Sequence, residues 1–250
     1  MNPRALRQRL ESLEAAGVTQ LPRASGRDLT TQAVTQAAVQ PQRPAVAPLP
    51  RVETATIATG NATDAPAALA VLAEQVSGCT RCPELAAART HAVFGVGRPD
   101  ARICFFGEAP GADEDASGEP FVGRAGQLLT KIIEACRLRR DDVYILNVLK
   151  CRPPGNRTPL PDEVANCRGY FERQFELIAP EYICCLGTTA AQALLQTGEP
   201  IGRLRKRWFS YGAAKVICTY HPSYLLRNPA AKRDVWDDMR AMMADMGVEL

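Results

Sequence analysis

The stretch 102–115, RICFFGEAPGADED, joins a short apolar run to a loop of Gly, Pro and acidic residues. Three further apolar runs follow it along the chain: DVYILNVL (142–149), EYICCLG (181–187) and AKVICTYH (214–221). The segments between these runs carry apolar residues at three- and four-residue spacing, which is typical of amphipathic helices. Strands that alternate with helices predict parallel βαβ units and a sheet that is covered on both faces. The sequence therefore predicts an α/β fold, with three αβα layers around a mostly parallel sheet of four strands.

The composition of the whole chain excludes several classes of protein. With 250 residues and 46% hydrophobic residues, the chain has enough apolar material for a buried core. Its net charge of +3 is too close to neutral to indicate a partner. No run approaches the roughly 18 apolar residues of a membrane span, and the N-terminal residues lack the apolar core of a secretory signal. We therefore expect a cytoplasmic protein that does not bind membranes.

Residues 1–66 differ in composition from the rest of the chain. They contain no Cys and no aromatic residue, but 13 Ala, 8 Thr, 7 Pro and 6 Gln. Such a segment cannot bury enough apolar surface to offset the entropy lost on ordering. The sequence therefore predicts a disordered N-terminal extension over 1–66 and one folded domain over 67–250.

Each predicted strand is followed by an unusual polar or Gly/Pro segment. These segments are GEAPGADED (107–115), NVLKCRPPGNRTPLP (147–161), GTT (187–189) and YHPSYLLRNP (220–229). In open α/β sheets the ligand crevice lies beyond the carboxyl ends of the strands, so the four loops meet at one rim. One such loop alone is compatible with ordinary turn chemistry, but four together predict a site. Within it, we expect a functional role for His221, because it ends a strand and precedes Pro222, which restricts its backbone.

The motifs of several common chemistries are absent from the sequence. There is no GxxxxGK[ST] phosphate loop, no GxSxG and no HExxH, and GVG at 95–97 lacks the third Gly of a dinucleotide fingerprint. With only two His residues, His91 and His221, the chain cannot build a multi-His metal centre.

The nine cysteines fall into two groups. Five lie inside predicted strands or a helix, where a free Cys packs as a small hydrophobe: Cys104, Cys136, Cys184, Cys185 and Cys218. The other four lie outside strand interiors: Cys79, Cys82, Cys151 and Cys167. A CxxC pair with two distant thiols provides the ligands for an iron–sulfur cluster or a structural zinc. The spacing does not choose between them, although the unrepeated CxxC favours iron–sulfur.

Five motifs, in order and spacing, resemble the family 4 uracil-DNA glycosylases, which contain a four-iron cluster. They are CTRC (79–82), GEAPGADED (107–115), PFVGRAGQLL (120–129), NVLKCRPPGNR (147–157) and HPSYLLR (221–227). The match covers roughly residues 68–246 and leaves the first 66 outside it. The resemblance implies a monofunctional DNA repair enzyme that hydrolyses the N-glycosidic bond of deoxyuridine and leaves an abasic site.

The resemblance also implies roles for individual residues. The ligands of the 4Fe-4S cluster would be Cys79, Cys82, Cys151 and Cys167. The uracil pocket would consist of Glu108, Ala109, Phe121, Asn147 and His221. Here Phe121 would stack on the base, and the Asn147 amide would donate to O4 and accept from N3–H, as uracil requires. His221 would donate to O2, where negative charge builds as the bond breaks.

Two features of the resemblance leave the mechanism open. Other glycosylases of the superfamily carry an Asp that positions the attacking water, and this chain has Ala109 in that place. Water positioning would then fall to Glu108, Glu114 or Asn156, which the sequence cannot rank. No lysine lies in a pocket motif except Lys150, beside the cluster, which disfavours strand-cleaving lyase chemistry.

The expected partner is uracil-containing DNA, single- or double-stranded, bound by a monomer; no partner of the extension is identified. Candidate DNA-binding residues are Arg152, Arg157, Tyr224, Leu225 and Arg227. Tyr224 and Leu225 would fill the gap left by a flipped base. The basic run at 203–207 precedes the fourth predicted strand. This position suggests the rim at the amino ends of the strands, opposite to the predicted site. Whether the run contacts phosphate stays open. Two other functions remain as alternatives. One is a non-catalytic, cluster-bearing module that binds DNA or senses lesions. The other is a nucleotide-binding domain with a structural zinc, which the absence of phosphate-binding loops disfavours.

Overall fold

The computed structural model describes residues 65–250, and its first helix begins at Ala65. The predicted extension over 1–66 therefore lies outside the described residues except for its last two positions. In the described part of the chain, no helix is long and apolar enough to cross a membrane.

The described residues form one sheet of six strands. The strands are β1 (Val96–Gly97), β2 (Ile103–Gly107), β3 (Tyr144–Asn147), β4 (Tyr182–Leu186), β5 (Trp208–Tyr211) and β6 (Ala214–Thr219). Their order across the sheet is β1-β3-β2-β4-β6-β5. The four central strands are parallel to each other, while β1 and β5 pair antiparallel at the two edges.

Helices cover both faces of this sheet. They are α1 (Ala65–Ser77), α2 (Pro83–Ala88), α3 (Ala112–Ser117), α4 (Arg124–Ala135), α5 (Pro161–Ile178), α6 (Thr188–Leu195), α7 (Ile201–Leu204), α8 (Pro222–Arg227) and α9 (Lys232–Asp245). Three of them, α2, α5 and α8, begin with a Pro, whose fixed φ suits the first helical position. Helices α1, α2, α5 and α6 pack with Phe106 and Leu146 on one face, and α4, α8 and α9 pack with Phe105 and Ile145 on the other.

The predicted three-layer fold with four parallel strands is confirmed, and two edge strands were not predicted. Strand β1 has two residues, too few for a detectable pattern. Strand β5 lies in RKRWFSYG, where exposed and half-buried positions alternate and no buried apolar run exists.

Strand β5 also corrects the expected position of the basic run. Because β5 is antiparallel to β6 and pairs Trp208 with Ile217, it begins near the carboxyl end of β6. Residues 203–207 therefore lie at the same edge of the sheet as His221, and not at the opposite rim. The register of β2 and β3 places Gly107 beside Asn147 at this same edge.

Candidate active site

A cavity of about 200 Å³ opens at the carboxyl ends of β2 and β3. Its lining brings together the predicted pocket residues and the three candidates for water positioning: Glu108, Ala109, Glu114, Phe121, Asn147, Asn156 and His221. The side chain of Asn147 is 2% exposed, and its Oδ1 atom has no hydrogen-bond partner among the described residues. An unsatisfied buried acceptor costs about 1–3 kcal/mol. The cavity therefore offers a fixed acceptor to a ligand that carries an N–H group.

A buried lysine holds the backbone of Asn147 by a hydrogen bond. The Lys150 Nζ atom donates to the carbonyl oxygens of Asn147 at 3.0 Å and Phe94 at 3.1 Å. Lys150 is 1% exposed, and burial lowers the pKa of its amine to about 7. Because it does not line the cavity, Lys150 positions the backbone and does not reach a bound molecule.

The ring of Phe121 forms another part of the cavity wall. Its backbone is left-handed, with φ 55°, which is unusual for a bulky residue and is typical of strained functional sites. The close approach of Gly126 to the Phe121 backbone leaves no room for a Cβ atom there. A Cβ on Gly107 would likewise meet both the Phe121 ring and Asn147 Oδ1, so the absence of a side chain at Gly107 keeps the cavity open.

The three candidates for water positioning differ in how their side chains are bonded. The Glu114 carboxylate accepts from the backbone N–H groups of Gly111, Val122 and Gly123, each at 3.0 Å. Glu108 Oε2 accepts from the Thr189 hydroxyl at 2.6 Å, and Asn156 Oδ1 accepts from Arg152 Nε at 2.8 Å. Glu114 therefore organises the loop around Phe121, whereas Glu108 has its Oε1 atom free of hydrogen bonds to the described residues.

His221 lies at the cap position before α8, with its ring 5.5 Å from that of Phe121. Its Nδ1 atom accepts from the backbone N–H of Ser223 at 3.1 Å and lies 2.8 Å from the Ser223 hydroxyl. Enclosure of the ring, and then the charge of Arg227, lower the pKa of His221 to about 4. The imidazole is therefore neutral at pH 7, and because Nδ1 accepts, its proton is on Nε2.

Comparison with known proteins agrees with this geometry. Residues 94–240 match the model of the uracil DNA glycosylase superfamily. A type-4 uracil-DNA glycosylase of Thermotoga maritima is 48% identical over 63% of this chain and 83% of its own length. That of Archaeoglobus fulgidus is 44% identical over 68% and 88%. The chain belongs to the type-4 uracil-DNA glycosylases. A type-5 enzyme of Pyrobaculum aerophilum is more distant, at 31% identity over 59% of the chain and 79% of its own length.

The four thiols predicted as cluster ligands in this type-4 chain influence one another electrostatically. Burial raises the pKa of Cys151, with Cys79 and Cys82 adding to the effect and Arg89 opposing it. Burial likewise raises the pKa of Cys167 to about 11. Arg89 Nη1 donates to Cys151 Sγ at 3.0 Å. Within residues 65–250, no three His, Cys, Asp or Glu side chains are arranged to hold a single metal ion.

The candidate DNA-binding residues are not all accessible. Tyr224 is 38% exposed and Arg227 is exposed, but Leu225 is 1% exposed and packs in the core. The helical turn of α8 directs Leu225 inward in the protein without DNA, and its contact with DNA stays a prediction. Its neighbour Leu226 is 38% exposed.

The two arginines of the CRPPGNR loop have local partners. The Arg157 guanidinium binds the carboxylate of Glu163 at 2.7 Å and that of Glu84 at 3.2 Å, so it connects this loop to α2 and α5. Arg152 is half-buried and bonds Asn156. The pairing of Arg157 was not visible in the sequence, because Glu84 is 73 positions away and Glu163 lies in the following helix.

Proposed function

We propose that this protein hydrolyses the N-glycosidic bond of deoxyuridine in DNA, releasing free uracil and leaving an abasic site. The observation that carries the proposal is the Oδ1 of Asn147, which has no partner among the described residues and lies in the lining of a cavity of about 200 Å³. A base must leave the helix before its glycosidic bond can be attacked, and such a pocket reads it by stacking and by hydrogen bonds to its edge. Phe121 provides the stacking surface. Asn147 Oδ1 accepts from uracil N3–H, and its amide donates to O4.

His221 stabilises the leaving base. As the glycosidic bond breaks, negative charge develops on uracil O2. The neutral His221 ring, with its proton on Nε2, donates a hydrogen bond to that oxygen and acts as an oxyanion hole does. Ser223 fixes the ring by binding Nδ1, so the donor is oriented before the base arrives.

Glu108 positions the attacking water. One of its oxygens is held by the Thr189 hydroxyl, and the other is available to accept from a water. Asn156 lines the same cavity and assists from the other side. Glu114 acts indirectly, through the backbone groups that it binds. Among residues 65–250, no lysine lines the cavity, since Lys150 is buried outside it, and this supports a monofunctional enzyme.

Helix α8 contacts the DNA. Its two exposed apolar or aromatic side chains, Tyr224 and Leu226, fill the space that the flipped base leaves. Arg227, at the end of the same helix, contacts phosphate, and Arg152 contributes from the neighbouring loop.

One assay tests the function directly. Purified protein is incubated with an oligonucleotide that contains a single uracil, and abasic sites are detected by cleavage in alkali. Cleavage at the uracil position, and not at a thymine in a matched oligonucleotide, supports the proposal. Binding without cleavage would favour the non-catalytic DNA-binding module instead.

We further propose that Cys79, Cys82, Cys151 and Cys167 hold a 4Fe-4S cluster. The mutual effect of the four thiols supports this proposal: in addition to burial, Cys79 and Cys82 raise the pKa of Cys151, and Cys151 and Cys82 raise that of Cys167. Four cysteine thiolates are the usual ligands of a four-iron cluster. The Arg89 guanidinium, which donates to Cys151 Sγ, suits an anionic group at this position. When bound, the cluster holds the loop between Asn147 and Arg157 in shape and takes no part in the bond cleavage.

Protein purified in air after expression in iron-replete medium is expected to be brown and to contain iron and acid-labile sulfide in equal amounts. The reason is that an all-thiolate site of four cysteines favours iron–sulfur over harder metals. Metal analysis and the sulfide assay measure the result. Stoichiometric zinc without sulfide would contradict the cluster.

The extension over 1–66 is proposed to be dispensable for catalysis, because its sequence has no core-forming pattern. Deletion of residues 1–64 is expected to leave thermal unfolding and excision from short oligonucleotides within about twofold of the full chain. Loss of soluble protein would show that the folded domain needs part of this segment.

A further inference from the structure

A buried arginine connects the basic run at 203–207 to the active-site edge. Arg205 Nε donates to Asp238 Oδ2 at 2.6 Å, and its Nη2 donates to the carbonyl oxygen of Asp234 at 2.6 Å. Its guanidinium also lies 4.4 Å from the centre of the Tyr220 ring. Arg205 therefore ties the segment before β5 to the start of α9 and to the residue that precedes His221.

The aromatic stack continues from this arginine to helix α8. The rings of Tyr220 and Tyr224 lie 4.9 Å apart, and Tyr224 is one of the residues proposed to contact DNA. The charge of Arg227, at the end of α8, lowers the pKa of His221 and so acts across the same region. The basic run and the active-site helix thus share one continuous edge of the molecule.

The charges around Arg205 differ in how they are balanced. Arg205 is paired with Asp238, and Arg207 is paired with Glu199 at 2.8 Å. Arg203, Lys206 and Arg233 are exposed, and none of them has a salt-bridge partner within residues 65–250. Residues 67–250 carry 23 basic and 22 acidic side chains. The excess of positive charge near Arg205 is therefore local, because the domain as a whole is almost neutral.

The backbone at Lys206 is held in an unfavourable conformation. Its φ is 61°, a left-handed value that a lysine rarely adopts. Both neighbours are anchored, Arg205 by Asp238 and Arg207 by Glu199, so the fold maintains this geometry at a cost. The result is that Lys206 stays in solvent next to the edge that carries His221.

We infer that Arg203, Lys206 and Arg233, here called the β5-edge surface, bind the phosphate backbone of the DNA on the β5 side of the uracil pocket. This inference rests on the proposed function, because it extends the DNA contact from α8 to the edge strand. Three unpaired cations on a fixed edge match the regular negative charge of a DNA strand. The surface positions DNA without reading its sequence.

The test uses the full chain and a double variant, Arg203→Gln/Lys206→Asn. Asn tolerates a left-handed backbone better than most residues, so Lys206→Asn removes the charge with little strain. The matched control is Arg98→Gln/Arg102→Gln, which removes the same charge at the opposite edge of the sheet, where both arginines form exposed ion pairs of small value. Binding to a uracil-free duplex is measured by fluorescence anisotropy from 50 to 300 mM salt.

The double variant is expected to bind the duplex about tenfold more weakly near 150 mM salt. Its slope of log affinity against log salt is expected to become shallower by about 1 to 2, since each lost phosphate contact contributes about 0.9. The loss of kcat/KM on uracil-containing duplex is expected to come mainly from KM. The control pair should retain the slope of the unmodified protein. If the double variant unfolds, Arg203→Gln alone, which leaves the left-handed backbone at Lys206 unchanged, tests the same surface, with an expected change in slope of about 0.9.

Equal slopes in the double variant, the control and the unmodified protein would overturn the β5-edge surface. The result is separable from the function itself, because binding is measured on DNA without uracil. Normal uracil excision with an unchanged salt slope would support the glycosylase activity and contradict only the β5-edge surface. A shallower salt slope in the double variant, together with no uracil excision by the unmodified protein, would support the β5-edge surface and contradict the proposed activity.

Discussion

Replacement of Asn147 by Asp is expected to lower kcat/KM for uracil excision on the order of a hundredfold. Uracil presents an acceptor at O4 and a donor at N3–H, and a well-placed bidentate pair is worth about 1–3 kcal/mol of discrimination. The carboxylate removes the donor and turns a second acceptor towards O4. Cytosine presents a donor at N4 instead, so weak excision of cytosine is expected to appear. Both rates are measured on oligonucleotides that differ only in the target base.

The pH dependence of the Asn147→Asp variant separates base reading from damage to the fold. A buried carboxyl group has a raised pKa, and its protonated form still donates a hydrogen bond. Uracil excision by the variant is therefore expected to fall as the pH rises from 6 to 9, while the unmodified protein does not show this fall. Thermal unfolding and metal content serve as controls for the fold. Uracil activity equal to that of the unmodified protein would remove Asn147 from the role of edge reader.

Replacement of His221 by Ala is expected to reduce kcat by about a hundred- to a thousandfold, the usual effect of removing one donor from an oxyanion hole. The choice of base is expected to remain unchanged, because O2 is common to uracil and cytosine. Single-turnover excision on uracil and cytosine oligonucleotides measures both effects. His221→Gln, which retains an N–H donor, is expected to recover part of the rate. A changed base preference in His221→Ala would contradict the assignment.

The neutral state of His221 can also be tested through the pH dependence of stability and of excision. The pKa of His221 is lowered to about 4 from its ordinary value of 6.5. The unfolded chain therefore binds a proton in this interval that the folded chain does not, so stability falls as the pH decreases from 6.5 to 4. His221→Gln is expected to remove this dependence, and between pH 6 and 8 excision should show no titration of His221. A rate change in the unmodified protein, centred near pH 6.5 and absent from His221→Gln, would contradict the neutral ring.

The central part of the fold could be predicted from the sequence because its strands are continuous apolar runs. Phe105, Phe106, Ile145 and Leu146 all belong to such runs, and the rule that loops follow the carboxyl ends of strands placed Asn147 and His221 correctly at one edge. Strand β5 could not be predicted, because an edge strand with one solvated face lacks that signal.

The details of the site depend on contacts that local sequence does not encode. Leu225 and Leu226 are the same residue type in adjacent positions, and only the packing of α8 on the core decides that Leu226 is the exposed one. Glu108 and Glu114 are two similar carboxylates, one in the loop after β2 and one in helix α3, and Thr189, which distinguishes Glu108, is 81 positions away. Arg157 was predicted to contact DNA from its place in the CRPPGNR loop, and its ion pairs with Glu163 and Glu84 depend on the packing of α2 and α5.

The three hydrogen bonds of Glu114 have a consequence for how this active site can vary. They connect Gly111, Val122 and Gly123 through one carboxylate, so the Phe121 loop is already organised in the protein without DNA. A residue that replaces Glu114 has to accept hydrogen bonds from three N–H groups, one at Gly111 and two at Val122 and Gly123. Glutamine has one acceptor oxygen and would direct an NH₂ group at the remaining donors. A side chain that never touches the base is thus as restricted in its chemistry as those that do.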